Sequence, residues 1–532
     1  MSTRKSRDGR WWEGGCLYHV YVRSWQDSNG DGFGDLPGVI GRLDHLAWLG
    51  VDGLWLSPTM PSPDADWGYD VADYQAVHPE LGTMADLDDL IAQAADRGIR
   101  VLLDLVPNHT SDAHAWFVES RSGRESAKRD WYVWADPAPD GGPPNNWVSA
   151  AGTPAWTFDR ASGQYFLHNF LPGQPDLNWW NPEVHEAFER IIAFWLDRGI
   201  AGFRIDVAHG LYKDRELRDN PVARAADGST RLAPVYSMNR PEVHDTYRAW
   251  RKLAETYSPP GVLLGETWVL DTRRLASFYG QDDELHLGFN FVFAEAPFTA
   301  AALSKVVADT LAALPAGACP VWFGSNHDLS RFPTRWGAGD SRRARLALAL
   351  ILTLPGTAVL YYGDELGLPD VDVPPELRRD EMSREGPFHR DHARTPMPWD
   401  DTPGSGFTPA DVVPWLPMGD RRGHTAARQL ADKDSTLWLT RRLLALRREA
   451  MGPGVADYQQ FPSGEQQWVY RCGGLIVAAN LSDETAAVEL PGATEALSTA
   501  SGRPAGSGPA SPGPGERTAL GPWEAKVLRA DA

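Results

Sequence analysis

Short apolar runs that suit β-strands alternate with amphipathic stretches that suit helices along most of this 532-residue chain. That alternation limits the folds open to it more than any motif does. Strands are expected at 17–22, 53–56, 101–106, 202–207, 262–264, 288–291, 321–323 and 358–361. Helical spacing fills most of the gaps. Over 36–49, Leu36, Val39, Ile40, Leu43 and Leu46 recur on one face, and 87–95 follows the same period. The stretch 182–196 carries Val184, Phe188, Ile191, Ile192 and Trp195 along one side, with Asn181 as cap and Pro182 at the first position. Eight β–α units in this order predict an α/β chain folded as a TIM (β/α)8 barrel, whose reacting groups come from the carboxyl ends of the strands.

Two stretches interrupt the rhythm. Residues 110–179 are rich in Pro, Gly, Asn and Trp and too long for a plain connection, so they read as a loop-rich inserted domain B after the third strand. Residues 366–430 have a similar character and would wall a pocket as a subdomain after the eighth strand. The barrel then comprises 1–109 and 180–435. After a last helix at 436–448 the hydrophobic period becomes two, at 467–471, 475–479 and 486–490. Residues 436–532 are therefore expected to form that helix plus a C-terminal antiparallel β-sandwich domain. Within it the Pro/Gly/Ser-rich 501–515 reads as a mobile loop.

Three acids stand where acids are unusual. Asp206 ends Gly202-Phe203-Arg204-Ile205-Asp206, Glu266 ends Leu263-Leu264-Gly265-Glu266, and Asp328 ends Ser325-Asn326-His327-Asp328. Carboxylates normally occupy solvated faces, so three at the ends of apolar strands need a reason. Glycoside cleavage supplies one, since it calls for a carboxylate nucleophile and a protonated carboxyl, and a third acid would stabilise positive charge on the sugar. Arg204, two residues before Asp206 on a strand, shares its side and would keep it ionised. The 23 tryptophans exceed what a core usually requires, and platforms for sugar rings would account for some of them.

A formal charge of −20 argues against nucleic acid and anionic membranes as partners and fits a small neutral substrate with a cationic transition state. Cys16, Cys319 and Cys472 are far apart and lack metal or redox spacing, as expected of buried reduced thiols in a cytoplasmic protein. The basic start has no apolar segment behind it, and no apolar run approaches a membrane span. A soluble cytoplasmic protein, monomer or homodimer, without an organic cofactor, is the expectation.

Four segments, Asp104-Leu105-Val106-Pro107-Asn108-His109, 202–206, Gly265-Glu266 and Asn326-His327-Asp328, resemble the signature segments of the α-amylase family, glycoside hydrolase family 13. Gln174-Pro175-Asp176-Leu177-Asn178-Trp179 and the stretch 389–399 are similar to its α-glucosidase and oligo-1,6-glucosidase branch. The resemblance covers about residues 11–450. It implies a retaining, exo-acting α-glucosidase of maltose or isomaltose type, with Asp206 as nucleophile, Glu266 as acid and base, and Asp328 as stabiliser. His109 and His327 would donate to sugar hydroxyls, Tyr69 would stack on the terminal glucose, and Asp66 with Arg390 would clamp its far end. Asp104 would order the site through hydrogen bonds. A transglucosidase or isomerase such as trehalose synthase is the alternative on the same scaffold, and a non-catalytic transporter-associated relative is a remote one. In this branch Val207 accompanies α-1,6 activity, whereas Ala208-His209-Gly210 and Thr267-Trp268 depart from the typical pattern, so the linkage stays open.

The loop 27–35 places oxygen ligands at alternate positions, Asp27, Asn29, Asp31, the Phe33 carbonyl and Asp35, like the first part of an EF-hand loop without its closing Glu. The resemblance implies a structural Ca2+ or Mg2+ there.

Overall fold

The computed structural model describes residues 9–224, 228, 230–382, 389–419, 423–451, 455–490, 492–501 and 517–530. Eight parallel strands form its centre: β1 Cys16–Val20, β2 Gly53–Leu56, β3 Arg100–Leu105, β4 Gly202–Ile205, β5 Val262–Gly265, β6 Leu287–Gly288, β7 Val321–Phe323 and β8 Thr357–Tyr361. They pair in the order β6-β5-β4-β3-β2-β1-β8-β7. The nearly closed barrel lacks only a hydrogen-bonded ladder between β6 and β7, and β6 is two residues long. All eight strands are buried nearly throughout, as expected of parallel strands covered on both faces.

Two expectations are corrected. The stretch 36–49 is two helices, Leu36–Gly41 and Leu43–Leu49, broken at Arg42, where ψ is 6°. Pro37, Gly38 and Gly41 are poor helix formers, and Gly38 sits where an added Cβ would lie 2.0 Å from the Gln26 carbonyl oxygen. The run 288–291 is a strand only over Leu287–Gly288. The Asn290 side chain then accepts from the Phe293 N–H and starts a helical turn, Phe291–Ala294. The helix at Pro182–Asp197 is capped by Asn181, which accepts from the Glu183 N–H, and buries Val184, Phe188, Ile191, Ile192 and Trp195.

After β3 the chain forms a helix, Ala115–Arg121, and a three-stranded antiparallel sheet of Trp134–Ala135, Gln164–Leu167 and Trp156–Asp159. The C-terminal part is antiparallel as well. Five strands pair in the order Tyr458–Phe461, Gln467–Cys472, Leu475–Asn480, Ala525–Ala530 and Ala493–Ser498, beside a ladder of Ala486–Glu489 with Arg517–Leu520. The helix Thr436–Ala450 joins it to the barrel. Its buried Arg447 donates to the carbonyls of Gly14, Leu352, Leu354 and Gly356. The loop expected at 501–515 lies, but for Ser501, outside the described residues, as do 383–388 and 420–422 of the stretch 366–430. The three cysteines are buried and free. Among the described residues no helix is long and apolar enough to cross a membrane.

Candidate active site

Strand register assembles the site's centre. Side chains alternate inward and outward along β3 and β4, and the pairing sets Asp104 beside Arg204, with Leu264 of β5 on the other flank. An acid and a guanidinium thus become neighbours inside the barrel. Arg204 Nη1 lies 2.9 Å from Asp104 Oδ1 and 2.6 Å from Asp206 Oδ1, while Nη2 lies 3.0 Å from Glu266 Oε1. Asp206 and Glu266 begin just beyond β4 and β5, their N–H groups donating to Leu105 and Ile205. At Val207 the backbone turns to φ 44°, a conformation a β-branched residue rarely adopts. That turn aims the Val207 N–H at Glu266 Oε2, 2.8 Å away.

Asp328, beyond β7, forms the opposite wall. Arg390 and Arg394 each approach its Oδ1 at 3.1 Å, and His327 Nε2 lies 2.9 Å from its Oδ2. Arg390 also reaches Asp66 Oδ1 at 2.6 Å and Asp380 Oδ1 at 2.5 Å, which fixes the far end of the site. Tyr69 stacks flat on His327, with centroids 5.0 Å apart, and its hydroxyl donates to Asp104 Oδ2 at 3.0 Å. His109 Nε2 lies 3.0 Å from the Tyr69 carbonyl.

Asp66, Tyr69, His109, Asp206, Glu266, His327, Asp328 and Arg390 all line one cavity of about 390 Å3. Arg204 lies beneath it as the counter-charge. Sequence reasoning missed Asp380, Phe170, Met238 and Met382. Asp380 and Met382 sit in an irregular Pro-rich stretch, where no periodic pattern gives the direction of a side chain. Val207, His209 and Trp268 line the cavity too, around Glu266. His209 Nδ1 lies 3.4 Å from the Glu266 carbonyl, and Asn239 next to Met238 donates to the His209 carbonyl. Trp268 is 37% exposed and stacks on Phe291.

Charge is unevenly held. Burial raises Asp206 and Glu266 above the usual carboxylate range, and their mutual repulsion adds to it on Asp206 against the pull of Arg204. Burial likewise pushes Asp104 up to about 7. Burial thus favours the protonated forms of three carboxyls that share one guanidinium, and the guanidinium opposes it on each. Burial acts on Asp328 in the same sense, but His327, Arg390 and Arg394 outweigh it and hold Asp328 well below its ordinary value. The site thus sets carboxyls whose surroundings favour the proton beside one, Asp328, whose surroundings favour the charge.

Two places bear on metal binding. In the loop 27–35, Asp27 accepts from the N–H groups of Asn29, Gly30 and Gly32 and from the Thr408 hydroxyl. Asn29 Oδ1 accepts from the Asp31 N–H, and Asp31 Oδ1 from the Phe33 N–H. Oxygen donors are the type a hard cation takes, and here they are engaged with the loop's own N–H and hydroxyl groups. Asp35 is engaged elsewhere, accepting from Ser28 and capping the helix at Gly38. Separately, ligand atoms of Asp64, His78 and Glu80 lie within 4.8 Å of one another. Arg23 bonds both carboxylates of that cluster and already supplies a positive charge.

The alpha-amylase catalytic domain model matches residues 19–453. The chain belongs to the α-amylase family. It is a carbohydrate-active enzyme carrying that family's catalytic domain. A probable alpha-glucosidase of Rhizobium meliloti (strain 1021) is 41% identical over 519 residues, covering 91% of this chain and 92% of that one. The oligo-1,6-glucosidase of Heyndrickxia coagulans is 34% identical, covering 90% and 94%. Among solved structures, the alpha-glucosyl transfer enzyme XgtA is 37% identical with a TM-score of 0.90, covering 98% of this chain and 99% of its own. The trehalulose synthase MutB from Pseudomonas mesoacidophila MX-45 is 29% identical with a TM-score of 0.87, covering 98% and 99%. The family and the barrel agree with what the sequence leads one to expect, and the relatives include both glucosidases and glucosyl-transferring or isomerising enzymes.

Proposed function

We propose that this α-amylase-family enzyme takes terminal non-reducing α-glucosyl units from short glucosides by a retaining mechanism, and passes them to a second alcohol as well as to water. The observation that carries the reading is the Arg204 guanidinium, which holds Asp206 and Glu266 together at one cavity closed at its far end by Arg390 and Asp66. Retention needs two carboxyls close together, about 5–5.5 Å apart, and one guanidinium bonded to both Asp206 and Glu266 supports that reading by keeping them near each other. Asp206 attacks the anomeric carbon while Glu266 protonates the departing oxygen. Asp328, kept ionised by its three cationic or donor neighbours, stabilises the oxocarbenium charge. Arg390 with Asp66, His109 and His327 hold the glucosyl hydroxyls, and Tyr69 packs on its ring. Glu266 then deprotonates the acceptor, and the glycosyl-enzyme breaks down.

What accepts the glucosyl unit decides between hydrolysis, transfer and isomerisation. Transfer draws support from the likeness to XgtA and MutB and from the surface around Glu266. There Val207, Met238 and Trp268 give an acceptor more apolar area to rest on than a lone water needs. Incubation with maltose, isomaltose, trehalose, sucrose and maltotriose, followed by NMR of products, tests this. The expected result is an α-configured first product, with new glucosides gaining on free glucose as substrate concentration rises. Free glucose alone at every concentration would leave a plain α-glucosidase, and a β-configured first product would remove the covalent intermediate.

The loop of Asp27, Asn29 and Asp31 would hold Ca2+ or Mg2+ in a purely structural role, since the chemistry runs through carboxyls elsewhere. Added Ca2+ is expected to raise the melting temperature of the wild type by a few degrees and leave Asp31→Ala unmoved. An equal response in both proteins would place the ion somewhere else.

A further inference from the structure

Lys213 takes no part in the chemistry above, yet it is buried within the site's scaffold, 3% exposed. It lies on the connection that carries Asp206 out of β4. Its Nζ is 2.6 Å from Asp176 Oδ2, 2.7 Å from Asn108 Oδ1 and 2.8 Å from the Gly210 carbonyl, with the Leu211 carbonyl at 3.3 Å. An ammonium group has hydrogens only, so it can face nothing but acceptors. The atom of Asn108 turned toward it is therefore the amide oxygen, and the amide nitrogen must point the other way.

That nitrogen, Asn108 Nδ2, lies 3.1 Å from His109 Nδ1. An NH2 group only donates, so Nδ1 must accept and carries no hydrogen. Burial lowers the His109 pKa and keeps the ring neutral, which leaves its single proton on Nε2. Nε2 faces the Tyr69 carbonyl, 3.0 Å away, an acceptor that favours the same tautomer. Gln174 Nε2, at 3.2 Å, is the neighbour that would favour the opposite one, but it also lies 3.2 Å from Asp66 Oδ2. The other groups facing His109 are the Asp66 and Asp176 carboxylates, the Lys213 ammonium and the Phe170 ring.

We infer that Lys213 is a positioning residue that sets the tautomer of His109 through the Asn108 amide, so that the ring's one N–H, on Nε2, holds the Tyr69 carbonyl and fixes His109 and Tyr69 together at the wall of the glucosyl cavity. Without a fixed cation at Oδ1, the Asn108 amide is free to flip. His109 could then turn a bare Nε2 toward the Tyr69 carbonyl, where the two lone pairs would repel and the Tyr69 segment of the cavity wall would shift. The functional consequence rests on the reading that this cavity binds a glucosyl unit; the tautomer itself does not.

The test uses 15N-histidine-labelled enzyme, with the His109 signals assigned by their loss in His109→Asn. In the wild type the Nδ1 resonance is expected at the position of a bare imidazole nitrogen and that of Nε2 at the position of a protonated one. Asn108→Asp keeps the contact with Lys213 but turns an oxygen toward Nδ1, so Nδ1 becomes protonated. Lys213→Met randomises the two forms. A protonated Nδ1 in the wild type, or an unchanged spectrum in Asn108→Asp, overturns the inference. Because Asn108→Asp retains the buried ion contacts, it stays informative even where Lys213→Met does not fold. In kinetics, Asn108→Asp should raise KM about tenfold at pH 8, the loss of one hydrogen bond, with kcat less affected. KM should recover as pH falls and the ring, now beside a carboxylate, becomes an imidazolium that donates from both nitrogens. A switched tautomer with an unchanged KM would uphold the relay and instead remove His109 from the glucosyl contacts.

Discussion

Asp206→Ala and Glu266→Gln are each expected to leave a folded protein whose turnover of maltose-type substrates falls by at least about 10³-fold. The two losses should differ in kind. Without Asp206 no carboxylate reaches the anomeric carbon, and no leaving group, however good, restores the first step. Without the Glu266 proton the first step fails only where the departing oxygen needs one. An aryl α-glucoside whose phenol is a strong acid needs little help, so Glu266→Gln should still form the glycosyl-enzyme from it. The second step then stalls, because no base deprotonates the acceptor. A burst of phenol equal to the enzyme concentration, followed by slow turnover, is the expected trace for Glu266→Gln. Asp206→Ala should show no burst. Equal losses on activated and unactivated substrates would mean that the two roles are misassigned, and near-normal activity in either variant would remove the mechanism.

Much of this site is readable from the sequence because its parts end short strands. Asp206, Glu266 and Asp328 follow apolar runs, and in a parallel barrel such positions meet at one rim. Arg204 is legible for the same reason, since period-two alternation fixes its side relative to Asp206. Asp380 and Lys213 are different. Asp380 owes its role to Arg390 within the same irregular stretch, and Lys213 owes its role to Asn108 and Asp176, which lie on distant parts of the chain. Neither lies in a periodic pattern that would give its direction. The same limit explains the two fold corrections. Leu36–Leu49 has an unbroken apolar stripe, but Arg42 interrupts the backbone between two faces of the same stripe. The run after Leu287 is apolar enough for a strand, yet a single Asn290 side-chain bond turns it into a helix. Hydrophobic period reports which face is buried; it does not report where local hydrogen bonds end an element.

Arg204→Met should cost stability in a way that depends on pH. The guanidinium is the shared cation of Asp104, Asp206 and Glu266, and its charge lowers the pKa of each against the effect of burial. Removing it drives all three folded-state values further above their unfolded ones, which lie near 3.9 and 4.3. An acid raised in this way contributes stability that is fully present below its unfolded pKa and is lost as pH rises through the folded pKa. Near pH 4 the three groups can simply stay protonated, so the variant should melt close to the wild type. By pH 8 the cluster must either ionise without a counter-charge or hold protons against solution. The deficit is then expected to reach about 3–5 kcal/mol, that of a broken buried ion pair. Asp328 has the opposite sign, since its lowered pKa gives stability above its unfolded value that is lost on acidification. It comes from the guanidinium groups of Arg390 and Arg394 and from the His327 ring beside it, so this contribution persists in the variant. Thermal unfolding of both proteins between pH 4 and pH 8 measures the difference. A gap that widens with pH identifies Arg204 as the charge that lets three buried carboxyls share one site, and a constant gap would reduce it to a packing residue. Activity should follow the same proton: with Arg204 gone, Asp206 stays protonated at neutral pH, and kcat/KM falls by at least about 10²-fold, recovering in part as the pH is raised.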